Sequence, residues 1–409
     1  MTPRLIPVTP ANLSPTAHEL EASWDALTAE ELRRRGSLKW TVEPGVIGAW
    51  VAEMDLGTAP AVTAVLEHAV RDSAFGYTSP VLNQALREAT ARYQREVHDW
   101  RVEAEDVLAL PDVLSALRAI IARHTPEGSA VIVPTPAYMP FLRIPGELDR
   151  ELIAVPARRT RVSADAAAGW ALDLDAIEAA MAAGAGLLVL CHPWNPVGRV
   201  LTHEELDAVA ALSTRYGVSV FSDEIHGPLV LDPTLAHTPY ASRPGTDPDL
   251  TFTATAASKG WNIPGLKCAQ LVVSGEARRS WESSALSRNL SNQGAGIGAM
   301  ATIAAYDEGR EWIEAVRRYV RATAGEVEQV LSAAGVGVTR PEGTYLAWLD
   351  LSGTAAAASP ARFLLERARV AVNDGVTFGR GFESFARLNL AAPRPLALET
   401  ASRIAQALA

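Results

Sequence analysis

Between about residues 50 and 290 the chain alternates two kinds of block. Short, nearly unbroken apolar runs recur at 130–133, 187–190, 218–221 and 250–255. Between them lie stretches of helical spacing, such as 174–183 and the segment from Thr202 to Gly217. Runs of the first kind read as strands buried on both faces. Thr28-Ala-Glu-Glu31 and Thr202-His-Glu-Glu205 read as helix starts, because the threonine hydroxyl caps an amide and the glutamate reaches back. Gly36 and Gly217 end those helices. The alternation predicts an α/β fold with a mainly parallel sheet flanked by helices.

The pattern changes downstream. One long helical stretch covers 295–334, from Gly294-Ala-Gly-Ile-Gly298 to Gly335. Its glycines lack the Gly-Lys-Ser/Thr ending of a phosphate loop and read as a helix start. A strand is expected over 344–350, and helices near 360–370 and 396–408. Residues 1–20, rich in Pro, Thr and Ser, read as an arm. With 409 residues, two domains are expected. They are a large one over 49–294 and a smaller α+β one over 295–409, which residues 1–48 join.

Composition narrows the classes. The formal charge of −10 comes without long basic runs, so neither nucleic acid nor an anionic membrane is an expected partner. No apolar run approaches the roughly 20 residues of a membrane span, and no targeting signal is visible, so a cytoplasmic location is expected. Cys191 and Cys268 sit inside apolar segments with no CxxC spacing and read as reduced core thiols. No metal site is expected.

The chemistry concentrates where strands end. Asn195 and Asp223 each follow an apolar run, and Lys259 closes the run that begins at Leu250. Open α/β sheets place their ligands at such strand ends. A lysine in the small-residue turn Ala257-Ser258-Lys259-Gly260 is suited to reach inward and form a Schiff base. Asp223, Asn195, His226, Ser258 and Lys267 together outline a protonated pyridine, a phenolate oxygen and a phosphate, which is the polar pattern of pyridoxal 5′-phosphate.

Several ordered motifs carry a family resemblance. They are Lys39-Trp40, Trp50-Val-Ala-Glu-Met54-Asp55, Phe75-Gly-Tyr77-Thr78, Asn195-Pro, Asp223-Glu-Ile-His226, Ser258-Lys259, Pro341-Glu-Gly-Thr-Tyr345 and Phe385-Ala-Arg387-Leu-Asn389. The chain resembles the fold-type I pyridoxal phosphate enzymes of the class I/II aminotransferase superfamily, in the cystathionine β-lyase or C–S lyase (MalY/PatB-type) branch. The resemblance implies that Lys259 is the Schiff-base lysine and then the base at the substrate Cα. It also implies that Asp223 pairs with the pyridine nitrogen, that Asn195 and His226 bond the phenolic oxygen, and that Tyr138 stacks on the ring. The amides of Val113 and Leu114, with Ser258 and Lys267, would hold the phosphate. Asp112 stands where relatives often carry glycine, and capping of the helix is its expected role. Arg387 would clamp the substrate carboxylate. Tyr77 would reach the neighbouring subunit's phosphate and act in catalysis, which implies a homodimer with shared sites. Trp194, Gly260-Trp261 and Gly227-Pro228 depart from the family pattern, and both indoles are expected to border the substrate pocket.

The implied reaction is β-elimination on an S-substituted cysteine, giving thiol, pyruvate and ammonia. Two alternatives stay open: transamination, and a biosynthetic decarboxylation or oxidative deamination of an S-conjugated cysteine.

Overall fold

A computed structural model describes residues 15–159 and 169–409. Its main sheet has seven strands. In spatial order they are Val107–Leu110, Ala269–Val272, Thr251–Thr255, Ser219–Asp223, Leu187–Cys191, Val131–Thr135 and Leu152–Pro156. Only Ala269–Val272 runs against the rest. Helices cover both faces, among them Val113–Arg123 on one side and His203–Tyr216 on the other. The central strands are buried along their whole length, as their unbroken apolar runs require.

A second, four-stranded antiparallel sheet has the order Gly337–Thr339, Leu346–Asp350, Phe385–Asn389, Asn373–Asp374. Its core is shared with the helices Arg310–Ala333 and Arg394–Leu408. The short strand Ile47–Gly48 pairs in parallel with Val370–Ala371, so the N-terminal segment lies against this second sheet's region.

Two expectations need correction. The arm expected over 1–20 ends early. Residues 1–14 lie outside the described residues, but Ala17–Asp25 is a helix opened by a third capping box, Thr16 with Glu19. Trp24 from this helix packs edge-on against Tyr319 and Trp312, so buried aromatic area outweighs the Pro/Thr/Ser-rich local composition. The single helix expected over 295–334 is two, Gly296–Glu308 and Arg310–Ala333, broken at Gly309. The Trp261 indole donates to the Gly309 carbonyl at 2.9 Å. A Cβ on Gly309 would lie 2.4 Å from that indole nitrogen. The break is set by a residue about fifty positions away, which periodicity cannot see.

Candidate active site

The polar groups leave the carboxyl ends of the parallel strands. Leu187–Cys191 leads into Asn195, Ser219–Asp223 ends on Asp223, and Thr251–Thr255 is followed by one turn, Ala257–Gly260, carrying Ser258 and Lys259. The register sets Cys191 opposite Asp223 and Asp223 opposite Ala254. From the second sheet, Phe385–Asn389 brings in Arg387.

The Lys259 ammonium donates to the Ala52 carbonyl at 2.6 Å. Burial, helped by the positive Arg387, lowers its pKa to about 8, while Asp223 and Glu53 pull the other way. Asp223 is buried and accepts one amide hydrogen bond, from Ile225 at 3.1 Å. Among the described residues no cation lies within ion-pair distance of it, and burial raises its carboxyl to about 7. Its neighbour His226 is buried, and its Nδ1 has no partner among the described residues. Burial first, then Lys259 and Arg387, push that imidazole down to about 3, so it is neutral at neutral pH.

Arg387 is buried, and among the described residues no carboxylate pairs with it. Its Nη1 donates to Asn195 Oδ1 at 3.0 Å, and its Nη2 donates to Asn373 Oδ1 at 2.6 Å and the Trp50 carbonyl at 3.1 Å. Its Nε has no partner among the described residues, and Phe378 lies under the guanidinium. A buried cation with only neutral acceptors and a spare donor is prepared for an incoming anion.

Val113 and Leu114 open an eleven-residue helix capped by Asp112, which accepts from the Ser115 amide and hydroxyl, each at 2.9 Å. Burial alone would raise the Asp112 carboxyl, but Ser115 and Lys267 together hold it below the usual range. Lys267 is exposed and bridges Asp112 at 3.4 Å. The first-turn amides of this helix have no partner within the helix itself. Tyr138 is half-buried just before the helix Met139–Glu147, its ring edge-on to Phe141. Ser258 is half-buried beside Lys259. Tyr77 is not brought to this site: its side chain is fully exposed, near Phe75 and Val81, which are also exposed.

These groups fit pyridoxal phosphate. Asp223 lacks a cationic partner, His226 has an unused nitrogen, Lys259 is a weakly basic amine, and a helix N-terminus is available for phosphate. Among the described residues no cluster of potential metal ligands occurs.

Both departing tryptophans are core residues rather than pocket walls. Trp194 donates to the Pro136 carbonyl at 2.8 Å, and Trp261 packs edge-on against Tyr93 and Tyr306. The other departures are tightly packed as well. A Cβ on Gly260 would meet Pro228 at 2.8 Å, and one on Gly227 would meet the His237 ring at 2.9 Å. Steric fit accounts for these residues, and they say nothing of the substrate.

Sequence reasoning assigned no role to Tyr345, Asn373 or the backbone of 50–52. Tyr345 donates to the same Ala52 carbonyl as Lys259, at 2.9 Å. It stood inside a recognised motif, which was its only signal. Asn373 had none, and a backbone carbonyl leaves no mark on residue type.

A sequence model of the family "Aminotransferase class I and II" matches residues 51–404. The cystathionine β-lyase of Corynebacterium glutamicum is 37% identical over 93% of this chain and 98% of its own length. The cystathionine β-lyase PatB of Bacillus subtilis is 31% identical over 88% and 93% of the two chains. A crystal structure of a Corynebacterium diphtheriae protein described as a pyridoxal phosphate-dependent β-cystathionase superposes with a TM-score of 0.84. It is 35% identical and covers 93% of this chain and 98% of that one. With its strand-end lysine, aspartate and asparagine and its buried, acid-free arginine, this chain belongs to the class I and II aminotransferase family of pyridoxal phosphate enzymes, in the branch of the cystathionine β-lyases.

Proposed function

We propose that this enzyme performs β-elimination on an S-substituted cysteine, releasing a thiol, pyruvate and ammonia. The observation that carries the reading is Arg387, a buried guanidinium with no acid of its own beside an amine of lowered basicity, Lys259. An amino acid whose carboxylate sits on Arg387 presents its Cα within the same strand-end cluster. Pyridoxal phosphate supplies, when bound, the electron-withdrawing ring that makes the Cα proton acidic. Asp223 holds a proton at the ring nitrogen, and in return the ring's positive charge favours the ionised form of a carboxyl that burial alone has raised. His226, neutral, and Asn195 would serve the phenolic oxygen, Val113, Leu114, Ser258 and Lys267 would hold the phosphate, and Tyr138 would face the ring.

Lys259, as a free amine, takes the proton from Cα. The electrons of the broken Cα–H bond form a Cα–Cβ double bond, and the Cβ–S bond breaks with its pair leaving on sulfur. Lys259 or water returns a proton to the thiolate. Water then converts the released enamine to pyruvate and ammonia, so no oxidant and no second organic substrate is consumed.

The finer features belong to the same reading. A division into a large and a smaller unit is supported by the two separate sheets, although the helix Gly296–Glu308 packs on the large unit. A homodimer, with Tyr77 lent to the partner's phosphate, is supported by the exposure of Phe75, Tyr77 and Val81 along one short segment. Among the described residues no helix is long and apolar enough to cross a membrane, and a cytoplasmic location is the reading that goes with reduced Cys191 and Cys268.

The test supplies an S-substituted cysteine with a good leaving thiolate and no keto acid. Stoichiometric thiol, pyruvate and ammonia are expected. Turnover only with a keto-acid acceptor, or release of carbon dioxide with an S-linked aldehyde, overturns the reading. Arg387→Ala should lower kcat/KM by roughly 10²–10³, in line with about 3–4 kcal/mol for a charge-assisted pair. Arg387→Lys should recover only part of it, because an ammonium lacks the planar fork.

A further inference from the structure

We propose that residues 50–55 form a positioning strap for Lys259 and Arg387, and that the buried Lys39–Asp55 ion pair holds this strap in register. The inference deepens the reading above and rests on it. The strap acts through its backbone. The Trp50 carbonyl receives Arg387, and the Ala52 carbonyl receives both Lys259 and Tyr345. One short segment therefore touches the two groups that must hold the substrate carboxylate and meet the Cα proton. When Lys259 is a free amine, one N–H held by the Ala52 carbonyl limits the directions in which its lone pair can meet a proton.

The strap is clamped on three sides. Asn389 Nδ2 donates to the Val51 carbonyl at 2.5 Å and the Glu53 carbonyl at 2.7 Å, which ties it to the strand that carries Arg387. Asn262, three residues after Lys259, accepts from the Met54 amide at 2.8 Å and donates to the Met54 carbonyl at 2.9 Å. The third clamp is charged. Lys39 Nζ lies 2.9 Å from Asp55 Oδ2, with both side chains essentially inaccessible. Trp40 Nε1 donates to Asp55 Oδ1 at 2.8 Å, and the Lys39 amide donates to Glu53 Oε1 at 2.8 Å. Gly48 permits this approach, since a Cβ there would lie 1.9 Å from the Lys39 carbonyl oxygen.

A buried ion pair is poor at adding stability, because desolvation of both charges offsets their attraction. Apolar residues of similar volume commonly replace such pairs without loss. What they do not reproduce are the bonds around the pair, in which Lys39 Nζ also donates to the Glu53 and Ala391 carbonyls and Trp40 donates to Asp55 Oδ1. The Lys39–Asp55 pair is therefore best accounted for by the place it gives the strap, and that distinction is measurable.

The experiment compares the holoenzyme with Lys39→Met/Asp55→Asn, which removes both charges, keeps the shape of each side chain and leaves an acceptor for Trp40. Two readouts are taken: KM against kcat for an S-substituted cysteine, and the rate at which Lys259 of the cofactor-free protein captures added pyridoxal phosphate. Expected are a Tm near that of the unmodified protein, a KM raised about 10-fold or more, and a slower capture. A folded double variant with unchanged KM and unchanged capture rate overturns the proposal. Should that variant fail to fold, Asn262→Ala loosens the strap from its other side. It is expected to raise KM and slow capture, and a lowered Tm with both readouts unchanged would equally overturn the strap's role. Capture by Lys259 does not depend on which reaction follows, so a chain that transaminates instead of eliminating still answers the question.

Discussion

At the scale of single residues, the site is a set of groups made uncomfortable by burial and left without local relief. Lys259 is pulled to about 8 by desolvation and by Arg387, against an ordinary lysine value of 10.5. Its neutral, nucleophilic form therefore predominates above about pH 8 in the cofactor-free protein, well below where an exposed lysine would become reactive. Capture of pyridoxal phosphate, followed by its absorbance, should accelerate as pH rises through about 8 and then level off. A rate still climbing steeply past pH 9.5 would show an ordinary lysine. Borohydride reduction should leave the adduct on Lys259; an adduct on Lys267 would assign the chemistry to the wrong lysine. Lys267 is a poor rival on geometry, since it is exposed and already paired with Asp112.

At the scale of elements, what matters is how a few glycines and caps set the paths between strands. Asp112 caps its helix as expected, leaving the amides of Val113 and Leu114 facing out of the helix end. Gly309 separates two helices so that the Trp261 indole can dock on its carbonyl. Gly309→Ala would force a Cβ to within 2.6 Å of the Ala305 carbonyl oxygen as well as onto Trp261. The variant should lose about 1–3 kcal/mol, read as a lower urea midpoint. Lys259 sits two residues before Trp261, so a weaker hold on added cofactor should accompany the loss. An unchanged midpoint would mean that the break is dispensable.

At the scale of the whole molecule, the described chain holds Lys259, Asp223 and Arg387 together but leaves Tyr77 pointing into solvent. If Tyr77 completes a partner's site, Lys259→Ala and Tyr77→Ala chains, each impaired alone, should regain part of the activity when mixed and allowed to exchange subunits. The heterodimer would contain one site with both residues intact. A fully active monomer by sedimentation, or mixtures no better than their components, would remove Tyr77 from the site.

Much of this protein was legible in its sequence because the relevant signals are local. Unbroken apolar runs mark strands buried on both faces, capping boxes mark helix starts, and polar residues directly after those runs must lie at strand ends. That is why the mainly parallel sheet and the placing of Asn195, Asp223 and Lys259 needed no coordinates. Motif order carried the family, and with it the expectation for Arg387. Tertiary structure alone decided whatever depends on contacts between distant segments. It broke the helix at Gly309, turned Trp194 and Trp261 into core residues, and joined Lys39 to Asp55 beneath the strap. It also brought the Trp50 and Ala52 carbonyls to Arg387 and Lys259. Every residue has a backbone carbonyl, so no pattern of side chains distinguishes the two that serve the site; only the closing of the chain around them does.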